Sequence, residues 1–258
     1  MRSERYVVDR LVLDGQTIPF EPRWLPPEAR EVGRAAAAGR AARTFVAPGP
    51  GGHRWIQAGV GPAEPEPSPG LPVLVAGRPG WWSGGDPLHT VSWDWRDGVT
   101  GTVSVLGSGG DSLALPVADS FEPIQPIPVG LPFDLPEASV RCMNGDRGPD
   151  GTVTWRAAAG LGDVDVVLAT GRERFTVESD DVLTVRGRPA WYGPPKGAEL
   201  GPTGTIPRLL AVDLGGGVQL ALVVLDASGG PGLSWLIRLA QRIGIERPDL
   251  TWIGAPPG

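Results

Sequence analysis

The residues of this chain that could do chemistry are few: two histidines, one cysteine and a scatter of carboxylates. His89 lies just before Ser92 and Asp94, and the three could be read as a fragment of a Ser-His-Asp triad. Side chains alternate along a strand, which puts residues 92 and 94 on the face opposite 93 and 95. The sharp Gly-x-Ser-x-Gly turn that presents a nucleophilic serine does not occur. A triad is defined by geometry rather than composition, so no catalytic role is expected for this group. His53 stands apart, and neither His-Glu-x-x-His nor a Walker-type phosphate loop is present. The lone Cys142 excludes an intrachain disulfide and a cysteine-rich metal site, and with no histidine near it an inert thiol is expected. Asp94, Asp213 and the pair Asp180-Asp181 are the candidate cation ligands. Ca²⁺ takes roughly six to eight oxygens, and isolated carboxylates at strand ends ordinarily meet water or cap a turn. The Gly-rich stretches 107–110, 215–217 and 228–230 would have to lead from a strand into a helix to hold a phosphate. Without a Lys or Thr partner they read as turns. No catalytic residue, metal or cofactor is expected.

Tryptophan is the unusual resource, with ten in the chain. Trp93 and Trp95 share one face of a strand, whereas the adjacent Trp81 and Trp82 point to opposite faces. Exposed rings could stack on sugars or anchor a protein contact; buried ones would fill a sheet–helix core. Trp82, Trp93, Trp95 and Tyr192, with Lys196, form the candidate binding surface. Lys196 is the only lysine and lies in the long loop 193–207; loops of that length without secondary structure are mobile or functional.

These residues must be carried by a framework rich in breaks. The chain holds 39 Gly and 29 Pro, yet 41% of its residues are hydrophobic, so a core made of short strands and many turns is expected. The net charge of −6, with no basic run, argues against a nucleic-acid partner. No stretch approaches the roughly 20 apolar residues of a membrane span, and the charged start Met1–Arg10 has no apolar signal core. An anchor or signal is therefore expected to be missing if the protein works outside the cytoplasm.

Two stretches mark out a duplication. Val73-Leu-Val-Ala-Gly-Arg-Pro-Gly-Trp-Trp82 recurs as Leu183-Thr-Val-Arg-Gly-Arg-Pro-Ala-Trp-Tyr192, and Trp93-Asp94-Trp95 falls in line with Val212-Asp213-Leu214. Pro27-Glu28-Ala29 recurs as Pro136-Glu137-Ala138, and Trp55 and Trp155 lie between these marks. The proline-rich stretch 122–132 reads as an extended connector. The strand signals include 43–46, 53–57, 71–76, 90–95 and 102–106 in the first half. In the second half they include 152–157, 164–169, 175–177, 182–186, 209–214 and 218–225. The clearest helix is Leu233–Ile243, with Ser234 as its N-cap and Gly244 as its stop. Its counterpart near Leu113–Phe121 carries Pro116 and should be shorter or irregular. Residues 28–43, alanine-rich but interrupted by Gly33 and Gly39, are expected to form strand, turn and strand. The expected fold is α+β: two tandem repeats, residues 11–125 and 130–254, each an antiparallel sheet covered on one face by a short C-terminal helix.

This ordered set resembles a domain of unknown function found in extracytoplasmic regions of bacterial, actinobacterial-type, membrane-anchored proteins. The likeness rests on Phe20–Pro27, Gly77-Arg78-Pro79 with its aromatics, Trp93-Asp94-Trp95 and the helix Leu236-Ile-Arg-Leu-Ala240. It implies a non-enzymatic, extracytoplasmic sensing or interaction module with a protein or cell-envelope partner. The alternatives are a cell-wall or carbohydrate binder using its Trp residues, and a structural subunit of an assembly. Without the resemblance, a cytoplasmic location is expected.

Overall fold

The computed structural model describes residues 13–62, 70–96, 98–135, 137–197, 206–225 and 229–256. The start Met1–Arg10, Pro136, Ser228, Asp97 and residues 198–205 of the long loop lie outside these. The first part of the chain forms β1 (Thr17–Pro22), β2 (Arg30–Ala37), β3 (Arg40–Gly49), β4 (Gly52–Pro62), β5 (Leu71–Val75), β6 (Arg78–Gly85), β7 (Leu88–Arg96), β8 (Val99–Leu106), α1 (Asp111–Asp119) and β9 (Phe121–Pro128). The rest forms β10 (Phe133–Asp134), β11 (Val140–Arg147), β12 (Val153–Leu161), β13 (Val164–Thr170), β14 (Leu183–Val185), β15 (Arg188–Gly193), β16 (Arg208–Gly215), β17 (Val218–Val224), α2 (Leu233–Arg242) and β18 (Gly244–Ile245).

Fourteen strands join in one antiparallel sheet, in the order β14-β15-β16-β17-β13-β12-β11-β2-β3-β4-β8-β7-β6-β5. The seam is the pair β2–β11, where Ala35 faces Cys142 and Ala37 faces Val140. Outward from the seam, β3, β4, β8, β7, β6 and β5 on one side stand opposite β12, β13, β17, β16, β15 and β14 on the other. A helix covers the same face of both flanks. On the first, α1 and the two-stranded ribbon β1–β9 enclose Ile56, Trp93, Val103 and Val117 with Phe20 and Phe121. On the second, Leu236 and Ala240 of α2 pack among Met143, Leu168, Leu210 and Leu220. Alternation explains the layers. In β7 the side chains of His89, Val91, Trp93 and Trp95 are buried, while Thr90, Ser92 and Asp94 turn the other way.

The expected α+β fold of two separate sheet-and-helix repeats is overturned. Strand makes up 58% of the described residues and helix 10%, and one continuous sheet runs through both parts of the chain. Strand hydrogen bonding at the seam joins what composition and periodicity alone present as two sheets. The proline-rich stretch is not a free connector either: β9 occupies most of it and pairs with β1 in an isolated two-stranded ribbon. Proline is tolerated on such edges, where an absent N–H costs no ladder bond. Helix α1 continues through Pro116, whose missing N–H frees only the carbonyl of the exposed Ser112. Gly232, not Ser234, caps α2. Residues 175–177 form no strand of the sheet; only Val177 makes an isolated bridge, to Pro195. The strand, turn and strand expected for 28–43 are β2 and β3.

The Gly-Arg-Pro marks sit at two tight hairpins, β5–β6 and β14–β15, whose turn residues Ala76-Gly77 and Arg186-Gly187 all have positive φ. Arg186 uses that position to send Nη1 to the carbonyls of Ala240 at 3.0 Å and Ile243 at 2.7 Å, closing the C-terminus of α2. Ala and Arg carry the same penalty at a φ of +57°, so Arg186→Ala isolates the cap. It is expected to lower unfolding free energy by about 1.5–3 kcal/mol, read from urea denaturation.

Candidate functional site

The structure separates the residues singled out by sequence. Trp93 and Trp95 are 1% and 6% exposed, in the core around Phe121; Trp93 meets that ring edge-on at 4.9 Å. Trp82 packs against the same core and lies edge-on to His89 at 5.6 Å. Tyr192 packs on the second core. Lys196 is exposed in the turn after β15, and its amide donates to the Thr176 carbonyl at 2.7 Å. These residues are thus divided between the two flanks, and Trp93 and Trp95 lie buried, lining a small cavity of about 180 Å³ with Arg78 and Phe121 rather than an exposed platform. His89 and Asp94 lie on opposite sides of β7: His89 is buried with Nε2 3.3 Å from Asp86, and Asp94 is exposed. The isolated Cys142 lies on the seam, where burial pushes its thiol pKa up. Among the described residues, no three His, Cys, Asp or Glu side chains cluster as metal ligands would.

What the sheet does bring together is a face of β3, β4, β8 and β7 that no other described residue covers. It forms a cleft of about 630 Å³. Its floor is a grid of small polar groups set by register: Thr90 opposite Ser104, Ser92 opposite Thr102 and Asp94 opposite Thr100. Across β4 the grid continues through Gln57, Gly59 and Gly61. Thr90 and Ser104 share a hydrogen bond of 3.0 Å. Trp81 borders the grid beside Ser92, and Arg40 lies against Gly61. At one end a bare apolar row runs directly across three strands: Leu88, Leu106 and Trp55, the last 49% exposed.

Comparison with protein-family models, curated proteins and solved structures gives no match. No helix among the described residues is long and apolar enough to cross a membrane. The chemistry must therefore be read from the cleft itself. It holds one carboxylate, Asp94, and one guanidinium, Arg40, and neither His nor Cys. A carboxylate and a guanidinium among hydroxyls, an amide and an indole can recognise a ligand through charge, hydrogen bonds and stacking.

The same face on the other flank is covered. Val167, Ala169, Leu209, Ala211 and Ala221 form an apolar patch there, with Phe175 and Val177 packed on it. The chain after β13 thus crosses the sheet as a strap. Buried Gln219 holds it from below: the Phe175 amide donates to Gln219 Oε1 at 2.7 Å, and Gln219 Nε2 donates back to the Phe175 carbonyl at 3.0 Å. Arg174 reaches Asp213 at 3.2 Å, and the Arg156 guanidinium lies 5.2 Å from the Phe175 ring centre. The Gly215 amide, with Arg174, keeps the Asp213 carboxyl below its usual range.

Sequence reasoning missed Trp81, Gln57, Thr100, Thr102 and Ser104 as a group. A signal was present: Thr90-Val-Ser-Trp-Asp94 and Thr100-Gly-Thr-Val-Ser104 both alternate small polar residues with residues destined for the core. Following the polar half of that alternation, rather than the aromatic half, leads to the cleft.

Proposed function

We propose that this chain is a non-enzymatic binding or sensing module and that its ligand surface is the polar cleft on β3, β4, β8 and β7. The setting we propose for it is the extracytoplasmic part of a bacterial surface or membrane-anchored protein. The observation that carries the binding reading is the contrast between the two flanks. One flank covers this face with its own chain, and the other leaves a hydroxyl-lined concavity open among the described residues. A polar sheet face hydrated by mobile water is a ready surface for a ligand that replaces those hydrogen bonds. An oligosaccharide reading draws support from Trp81 in the cleft and from the half-exposed Trp55 in the apolar row at its end, not from the buried Trp93 and Trp95 or from Trp82 on the core.

The test is a binding screen of soluble cell-wall oligosaccharides and short peptides, followed by amide chemical shifts of the labelled protein. Residues 90–94 and 100–104 are expected to shift with a bound ligand, and Thr102→Arg, which fills the cleft from an exposed face, is expected to abolish the response while leaving Tm unchanged. Shifts confined to other surfaces, or release of a cleaved product dependent on Asp94, would overturn the reading.

A further inference from the structure

The two flanks carry one row in common on this face. On the covered flank it reads Asp213, Gln219, Ala169, Arg156 across β16, β17, β13 and β12. On the open flank it reads Asp94, Thr100, Gly61, Arg40 across β7, β8, β4 and β3. Order and chemical type agree at every position: acid, hydrogen-bonding side chain, small residue, arginine. On the covered flank each polar member has a defined task in gripping an extended segment. Asp213 takes the cation of Arg174, Gln219 takes the backbone of Phe175, and Arg156 lies over its ring. The open flank has those groups and, among the described residues, nothing in their grip: Asp94 makes no ion pair there, and both Asp94 and Arg40 are exposed.

We infer that the open cleft binds an extended peptide segment of a partner protein, carrying a cation followed by an aromatic residue. This rests on the binding reading above and names its ligand. The cation meets Asp94. The next residue sets its backbone against the Thr100 hydroxyl and its ring over the bare backbone of Gly59 and Gly61, beneath Arg40. Where the covered flank has Val167 and Ala169, these glycines leave more depth: a methyl carbon built at either would have only Arg40, Ala42 and the Ala41 carbonyl within 4 Å. One step further along an extended segment, the side chain two residues after the ring faces the next row. On the covered flank that row is Ala211, Ala221 and Val167, and Val177 packs on the apolar patch they belong to. On the open flank the row is Ser92, Thr102 and Gly59. The ligand therefore has a hydrogen-bonding residue there, so the recognised pattern is cation, aromatic, any residue, polar. Main-chain contact with specificity from alternate side chains is an established mode of peptide recognition.

The strap supplies the probe. A fluorescein-labelled peptide of residues 172–179 carrying Val177→Gln is titrated into the full chain and followed by anisotropy and amide shifts. Saturable binding that perturbs residues 90–94 and 100–104 is expected. Asp94→Lys is expected to weaken it roughly tenfold or more, as like charges face each other. The peptide with Arg174→Glu should recover binding to Asp94→Lys and lose it to the unaltered protein. Thr102→Arg should abolish binding, with circular dichroism and Tm confirming that each variant is folded. Peptide binding indifferent to Asp94 and Thr102, or no binding at millimolar peptide, overturns the inference. If the peptide fails and a neutral oligosaccharide shifts the same residues, the peptide class is wrong and the cleft remains a binding site. If neither ligand shifts them, the cleft itself is not the site.

Discussion

Replacing Glu31 by Gln is expected to cost about 3–5 kcal/mol of unfolding free energy, the penalty for stranding buried cations. Glu31 is 4% exposed and receives two bidentate forks. Arg43 donates Nε and Nη2 to it at 2.8 and 2.7 Å, and Arg34 does so at 2.9 and 3.0 Å. Residues 31 and 34 would ordinarily point to opposite faces of β2. A register shift between Glu31 and Gly33 reverses the alternation and puts them together. Arg43 is buried against Phe45 and cannot turn to water, whereas Arg34 is partly exposed over Trp252. Arg43 keeps a weaker contact with Glu21 at 3.6 Å, so the loss is large rather than total. The same residue holds the end of the chain: the Glu31 amide donates to the Ala255 carbonyl at 3.1 Å, and the Gly254 amide donates to the Glu31 carbonyl at 2.8 Å. Amides 253–255 should therefore exchange faster in the variant. Burial pushes the Glu31 carboxyl pKa up, but the hydrogen bonds from Arg43 and Arg34 outweigh it and hold the group below its ordinary value of 4.5. A depressed folded-state pKa gives stability that is complete above the unfolded value and lost as pH falls through the folded one. Unaltered protein should thus lose stability below about pH 4.5, and Glu31→Gln should show a flatter acid limb in denaturant titrations at stepped pH.

Much of the local structure was legible because short-range rules govern it. The alternation in 90–95 and 102–106 and the Gly-Arg-Pro turns identify β7, β8 and the two hairpins, and the amphipathic stripe over 233–243 identifies α2. The seam was not legible, because Ala35, Ala37, Val140 and Cys142 give no sign of whether they end a sheet or join two. The ribbon β1–β9 escaped for a related reason: proline argues against a central strand, and only the long-range pairing to β1 shows that 121–128 is an edge. The aromatic residues misled in a specific way. Placing Trp93 and Trp95 on one face was correct, but which face is the core depends on α1 and the ribbon, which no local pattern locates. Glu31 gave no signal at all, since its role depends on a bulge that changes which residues share a face.

Trp93→Ala is expected to cost about 3–5 kcal/mol, the range for removing a large buried aromatic side chain. The more informative substitution is at its cross-strand partner, Gly101. The indole lies flat against the Gly101 backbone, so a methyl group built there would come 2.4 Å from Trp93 Cζ2 and 2.6 Å from Cε2. Movement of the ring away from Gly101 would disturb its aromatic neighbours. Phe121 meets it edge-on, and Phe121 is itself stacked on Phe20 at 4.9 Å, with Trp95 closing the cluster. Gly101 has no positive φ, so its glycine answers to the aromatic face and not to backbone conformation. Overpacking of this kind costs about 1–3 kcal/mol. Gly101→Ala should fall in that range and Gly101→Val at its upper end, although valine is the better strand former. A double-mutant cycle separates the steric account from a propensity effect. With Trp93→Leu already in place, the cost of Gly101→Val should shrink or reverse, giving a coupling of about 1–3 kcal/mol. If the two costs simply add in chemical denaturation, the ring is not what excludes a side chain at position 101. Because Gly101 lies between Thr100 and Thr102 of the cleft, Gly101→Val would displace β8 against β7. Peptide affinity measured on that variant then reports how tightly the core face sets the spacing of the hydroxyls on the other.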